Sequence, residues 1–152
     1  MLAEKQQRLI DDLLAIPDAQ ERLAAIVARA ARTHARSSTL APTPTPAPAL
    51  APAERTDANR VPGCVSAVWL VATVDPDTRR LRLRADADSP LVKGLVALLC
   101  DLYDDTPADE AATFHADLFE KLAIAQNLSP TRRHGLASVQ ARIREKAEGL
   151  KS

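Results

Sequence analysis

Apolar positions recur at helical spacing near the start of the chain. Leu9, Ile10, Leu13 and Leu14 share one side, and Pro17 interrupts the pattern. Asp18 can cap a second helix, whose apolar side carries Leu23, Ile26, Val27, Ala30 and Ala31, so the two helices predict a helical hairpin. The pattern then disappears in SSTLAPTPTPAPALAPAERTDANR. Repeated proline removes backbone donors and fixes φ, so this stretch favours solvated, extended polyproline over helix or sheet. It reads as a semi-rigid linker over 37–58 inside a single domain spanning 1–152. Docking to a proline-binding domain is the alternative use of such a tract.

After the turn at Pro62-Gly63 the period changes to two. VSAVWLVATV is β-branched and apolar on both faces apart from Ser66, which predicts a central strand. DPDT supplies a turn, and RRLRLRADAD follows, with Leu81, Leu83 and Ala85 alternating against Arg80, Arg82, Arg84 and Asp86. That second strand should keep one solvated face. A two-stranded hairpin needs a helical layer over its apolar side.

Helix then returns. SPLV, TPAD and SPTR each place Ser or Thr where a helix N-cap belongs and proline at the first helical position, where a missing donor costs nothing. PLVKGLVALLCDLYDD is apolar over a wide surface and so predicts a largely buried helix. Its Gly94 costs about 1 kcal/mol relative to alanine, which implies close approach by another backbone. The last helix repeats Leu136, Val139, Ile143, Ala147 and Leu150 along one stripe. The fold class is therefore α+β: a small antiparallel sheet packed against a helical layer, with an N-terminal helical pair.

Composition narrows the function. Among 152 residues, 46% are hydrophobic and 26% charged, with 20 basic and 20 acidic side chains. A balanced charge and few aromatics argue against nucleic acid as a partner. No apolar run is long enough to span a membrane, and MLAEKQQRLIDD has no secretory pattern, so a cytoplasmic protein with no membrane partner is expected. Two cysteines, Cys64 and Cys100, are too few for a disulfide framework. His34, His115 and His134 are scattered, so no metal site is expected.

Cys100 lies among leucines and reads as a small buried hydrophobe. Cys64 stands at a turn-to-strand junction, where it can be structural or can lie at the mouth of the sheet as a reactive group. No C-x-x-C and no neighbouring histidine supports an oxidoreductase or a thiol hydrolase. A cysteine without its own machinery can still accept sulfur from another protein.

Three ordered segments carry a family resemblance: NRVPGCVSAVWLV, DADSPLVKGLVALLCDLYDDTPADE and LFEKLAIAQNLSPTRRHGLASVQARIREKA. Together they resemble the SufE family of sulfur-acceptor proteins. The resemblance implies a SufE/IscU-like fold with no cofactor of its own. Its partner would be a SufS-type cysteine desulfurase that uses pyridoxal phosphate, and a downstream iron–sulfur scaffold would receive the sulfur. The chain would then be a persulfide carrier and desulfurase activator, with Cys64 as acceptor, rather than a stand-alone enzyme. Gly63, Ser66, Asp88 and Arg132 match family positions at the partner-facing side, Gly63 and Ser66 flanking the thiol. Asp88 also suits the start of the following helix, and Arg132 also reads as a solvated first-turn charge. Ala67 stands where family members often have Gln, and Asn127 where they often have His. A pure interaction module of the same fold, without sulfur transfer, is the competing reading.

Overall fold

A computed structural model describes residues 2–38, 54–61, 67–124, 126 and 128–150, with the backbone alone for 29–38. Helices α1 (Leu2–Leu14) and α2 (Ala19–Ser38) are followed by strands β1 (Val68–Val74) and β2 (Arg80–Ala87). Then come α3 (Pro90–Tyr103), β3 (Thr106–Pro107), α4 (Ala108–Thr113), α5 (Leu118–Lys121) and α6 (Pro130–Leu150).

The two N-terminal helices form where the spacing places them. Leu2, Gln6, Ile10 and Leu13 bury one face of α1, while Leu14 stays exposed. Asp18 does cap α2: its carboxylate accepts from the Gln20 N–H at 3.2 Å and its carbonyl from the Arg22 N–H at 2.9 Å. The expected hairpin is not the main packing, however. Both helices dock onto α3, and α1 also meets α5. The apolar stripes find the most buried helix of the domain rather than each other. Arg22 closes the corner, donating to the carbonyls of Ile16 at 2.7 Å, Pro17 at 3.2 Å and Leu122 at 2.9 Å.

The sheet is antiparallel, in the order β1-β2-β3, with Val68 opposite Ala87 at one end of the hairpin and Val74 opposite Leu81 at the other. The DPDT turn forms because the Asp75 carboxylate accepts the N–H groups of Asp77 at 2.8 Å and Thr78 at 3.2 Å. Strand β2 lies between β1 and the short β3, and the start of β1 also has a neighbour on its other edge, through the bridge of Arg60 to Trp69. On the outer face of β1, Trp69 and Val71 are half-buried, and Arg55 lies against the Trp69 ring. Val68, Leu70, Leu81 and Leu83 are buried in the core, where β2 packs on α3 and β1 on α6.

Ser89 caps α3, accepting from the Val92 N–H at 3.5 Å, and Ser129 caps α6, accepting from the Arg132 N–H at 3.2 Å. Thr106 does not cap the next helix. It belongs to β3 opposite Leu81, and its buried hydroxyl donates to the Tyr103 carbonyl at 2.5 Å, leaving Pro107 at the helix boundary. In the first turn of α4 the Glu110 N–H donates instead to the Asp109 carboxylate at 3.0 Å. α3 lies between the sheet on one side and α1, α2 and α6 on the others, and α6 also packs on α4 and β1. Leu136, Val139, Ile143 and Ala147 of α6 are buried as expected, whereas Leu150 is exposed at its end. Among the described residues no helix is long and apolar enough to cross a membrane.

Candidate functional site

Cys64, Gly63 and Ser66 lie outside the described residues, but both flanks of their segment are fixed. On the incoming side, Asn59 and Val61 run antiparallel to the start of β1. The Leu70 N–H donates to the Asn59 carbonyl and the Val61 N–H to the Val68 carbonyl, both at 2.8 Å, and Arg60 bridges to Trp69. The Val61 side chain is buried. On the outgoing side, the Ala67 carbonyl accepts from the Asp88 N–H at 3.0 Å. The chain bearing Cys64 therefore leaves and rejoins the sheet at one end of β1.

Of the stretch 37–58 read as a linker, residues 37–38 close α2 and residues 54–58 lead onto the sheet, while 39–53 lie outside the described residues. Glu54 pairs with Arg84 through two oxygens, one bond at 2.8 Å and the other the closer contact of Arg84 Nη2 with Oε2. Asn59 ties the segment back on itself by donating to the Glu54 carbonyl at 2.8 Å. Arg55 binds the Asp86 carboxylate, and its guanidinium lies 5.4 Å from the centre of the Trp69 ring.

Asp86 is the main correction to the expected solvated face of β2. Its carboxylate is completely shielded, bound by Arg55, by Lys93 Nζ of α3 at 3.2 Å and by the Ala87 N–H at 2.8 Å. Burial raises its pKa, but the Ala87 N–H together with Arg55 and Lys93 outweighs that, and the carboxyl sits below the ordinary range. Alternation alone places Asp86 in solvent because its partners arrive from elsewhere in the chain. Lys93 was within the recognised VKGL stretch, but Arg55 carried no signal of its own.

A folded pKa below the unfolded one, about 3.9, means the Asp86 contribution to stability is fully present above about pH 5 and is lost as pH falls through the folded value. Unfolding followed by denaturant titration from neutral pH down to about pH 2 should therefore show a flatter acid limb for Asp86→Asn than for the wild type. Equal limbs would mean that the carboxylate carries no pH-linked stability.

Asp88 is exposed, and its backbone N–H bonds to the Ala67 carbonyl at the end of the Cys64 segment. Arg132 is exposed in the first turn of α6, and among the described residues no hydrogen bond or ion pair joins it to Asp88. The other cysteine is sequestered: burial among leucines, with the charges of Asp101 and Asp104, pushes the Cys100 thiol far up, out of the range where a thiolate exists at neutral pH. It is the structural filler its surroundings imply. Among the described residues no cluster of three or more His, Cys, Asp or Glu side chains assembles as a metal site.

Fold and site together define the class: an α+β domain with three antiparallel strands under a helical layer and a cysteine-bearing connection at one end of the sheet. The chain belongs to the SufE family, whose model, described as an Fe-S metabolism associated domain, matches residues 7–147. It is 41% identical over 102 residues to an uncharacterized SufE-like protein of Rhizobium etli, covering 65% of this chain and 69% of that protein. A second uncharacterized SufE-like protein, from Rhizobium meliloti, is 39% identical over 98 residues, covering 62% and 70%. The fold also resembles the solution structure of a hypothetical protein from Thermus thermophilus, with a TM-score of 0.69 at 17% identity over 96% of this chain and 95% of that one.

Proposed function

We propose that this chain accepts sulfur from a SufS-type cysteine desulfurase onto Cys64 and passes it to an iron–sulfur scaffold. It acts in the cytoplasm, without a cofactor of its own, as a carrier and activator rather than a stand-alone enzyme. The observation that carries the reading is the state of the second cysteine. Cys100 is buried and its thiol pKa is pushed far up, so of the two cysteines in the chain the transferable thiolate falls to Cys64. Family membership supplies the partner class, and the sheet-anchored flanks of the Cys64 segment suit a thiol presented to another protein.

The step is a thiol–persulfide exchange. The Cys64 thiolate attacks the outer sulfur of the partner's cysteine persulfide, the partner's S–S bond breaks, and its cysteine thiolate leaves. A new S–S bond forms at Cys64, and no external oxidant is consumed. Gly63 and Ser66 flank the acceptor, and Asp88 and Arg132 are proposed to face the partner.

Intact-protein mass spectrometry tests this after incubation with a SufS-type desulfurase, pyridoxal phosphate and cysteine. The wild type should gain the mass of one sulfur atom, reversibly by reductant, and Cys64→Ser should gain none. An unchanged wild-type mass would leave the chain as a pure interaction module.

A further inference from the structure

Three separate parts of the chain converge on one shielded carboxylate. Asp86 on β2 holds Lys93 from α3 and Arg55 from the segment that leads to Cys64, and the arginine also covers Trp69 on β1. Trp69 and Asp86 stand directly opposite each other in the strand register, so Arg55 rests on both members of one cross-strand pair. From Glu54 to Val61 the only buried side chain is that of Val61. Apolar burial alone does not hold this segment on the sheet. Its attachment is polar: Glu54 to Arg84, Arg55 to Asp86, and two backbone bonds through Asn59 and Val61.

We propose that Arg55 and Asp86 are positioning residues for Cys64. Their charge pair fixes the incoming strand in one register against β1, and so sets where the acceptor thiol stands when the partner persulfide arrives. Arg55 keeps 41% of its side chain exposed, and Lys93 and the Ala87 N–H also hold the shielded carboxylate, so this pair contributes little net stability while still selecting a single geometry. Sulfur transfer has that requirement, since a misplaced nucleophile costs rate without unfolding the protein. This role rests on Cys64 being the sulfur acceptor.

Two variants of the full chain test the pair. Arg55→Met keeps a stem over Trp69 and removes the charge, and Arg55→Lys keeps the charge. Amide hydrogen exchange reads the clasp directly at Val61 and Leu70, and the rate of sulfur loading from a SufS-type desulfurase and cysteine reads positioning. Arg55→Met should speed exchange at those two amides about tenfold, with the amides of α3 unchanged. At saturating partner its loading rate should fall about fivefold, with the thermal midpoint within about 3 °C of the wild type. Arg55→Lys should recover most of both effects. Exchange and loading both within about twofold of the wild type would overturn the proposal, and faster exchange with unaltered loading would overturn the positioning role. If the wild type takes up no sulfur, the acceptor reading falls and the positioning role with it, whereas the exchange data still report on the clasp by themselves.

Discussion

Tyr103→Ala should lower the unfolding free energy by about 4 kcal/mol, within the range for removing a fully buried aromatic side chain. The ring is fully buried and meets Phe114 edge-on, with centroids 6.1 Å apart. The hydroxyl donates to the Phe114 carbonyl at 2.8 Å, and the Gln140 amide of α6 reaches both this oxygen, at 3.5 Å, and the Ala116 carbonyl, at 3.0 Å. One side chain thus joins α3, the connection from α4 to α5, and α6. Burial raises the phenol pKa despite its hydrogen bonds, so the group is neutral and remains a donor at physiological pH. Tyr103→Phe separates the parts: it keeps the ring and leaves the Phe114 carbonyl without this donor, which should cost about 1–2 kcal/mol. For a chain of this length the alanine change should appear as a fall of about 8–16 °C in thermal midpoint. An alanine variant within about 1 kcal/mol of the wild type would mean that α6 does not depend on this contact.

The second large effect is expected at Gly94→Val. A Cβ built at Gly94 lies 3.0 Å from Val27 Cα and 3.2 Å from both its N and its Cγ2, so α2 crosses α3 with its backbone against the glycine. Alanine would gain about 1 kcal/mol in helix propensity and lose a comparable amount by crowding α2, so Gly94→Ala should come out near neutral or slightly worse. Valine adds two methyl groups where there is no room and carries a poorer helix preference. We expect a loss of about 3 kcal/mol, measured by urea denaturation, with the near-ultraviolet signal altered by displacement of α2. A valine variant as stable as the wild type would show that α2 can slide off α3 without cost. An isolated glycine within a strongly apolar helix had already implied this close approach, and the structure supplies the partner, Val27.

Much of the framework was legible because it rests on local rules. Pro17 and Asp18 separate and cap the first two helices, DPDT makes the hairpin turn through the Asp75 side chain, and Ser89 and Ser129 begin α3 and α6. The α6 stripe held as far as Ala147 and ended before Leu150, where the core runs out. What was misread depends on contacts between parts distant in sequence. Thr106 looks like a helix cap and is a strand residue, because Leu81 offers it a ladder position. The apolar run after Cys64 reads as a central strand, and its start does have a neighbour on each edge, β2 and residues 59–61, but the two-stranded hairpin left out β3, which adds to the far edge of β2. The helical pair looks like a hairpin, but α3 presents the more apolar surface and draws both helices to it.

The sequence by itself determined the fold class, the hairpin, the capped helices, the buried character of Cys100, and the ordered motifs that mark the family. Each depends on periodicity, turn chemistry or motif order, which are written locally along the chain. Only the tertiary structure decided that Asp86 is enclosed, that Arg55 and Lys93 reach it from two other segments, and that the chain leading to Cys64 is pinned along β1. A charged residue in an alternating strand reads as solvent-facing until a counter-charge is carried to it, and that depends on the path of the whole chain rather than on its neighbours in sequence.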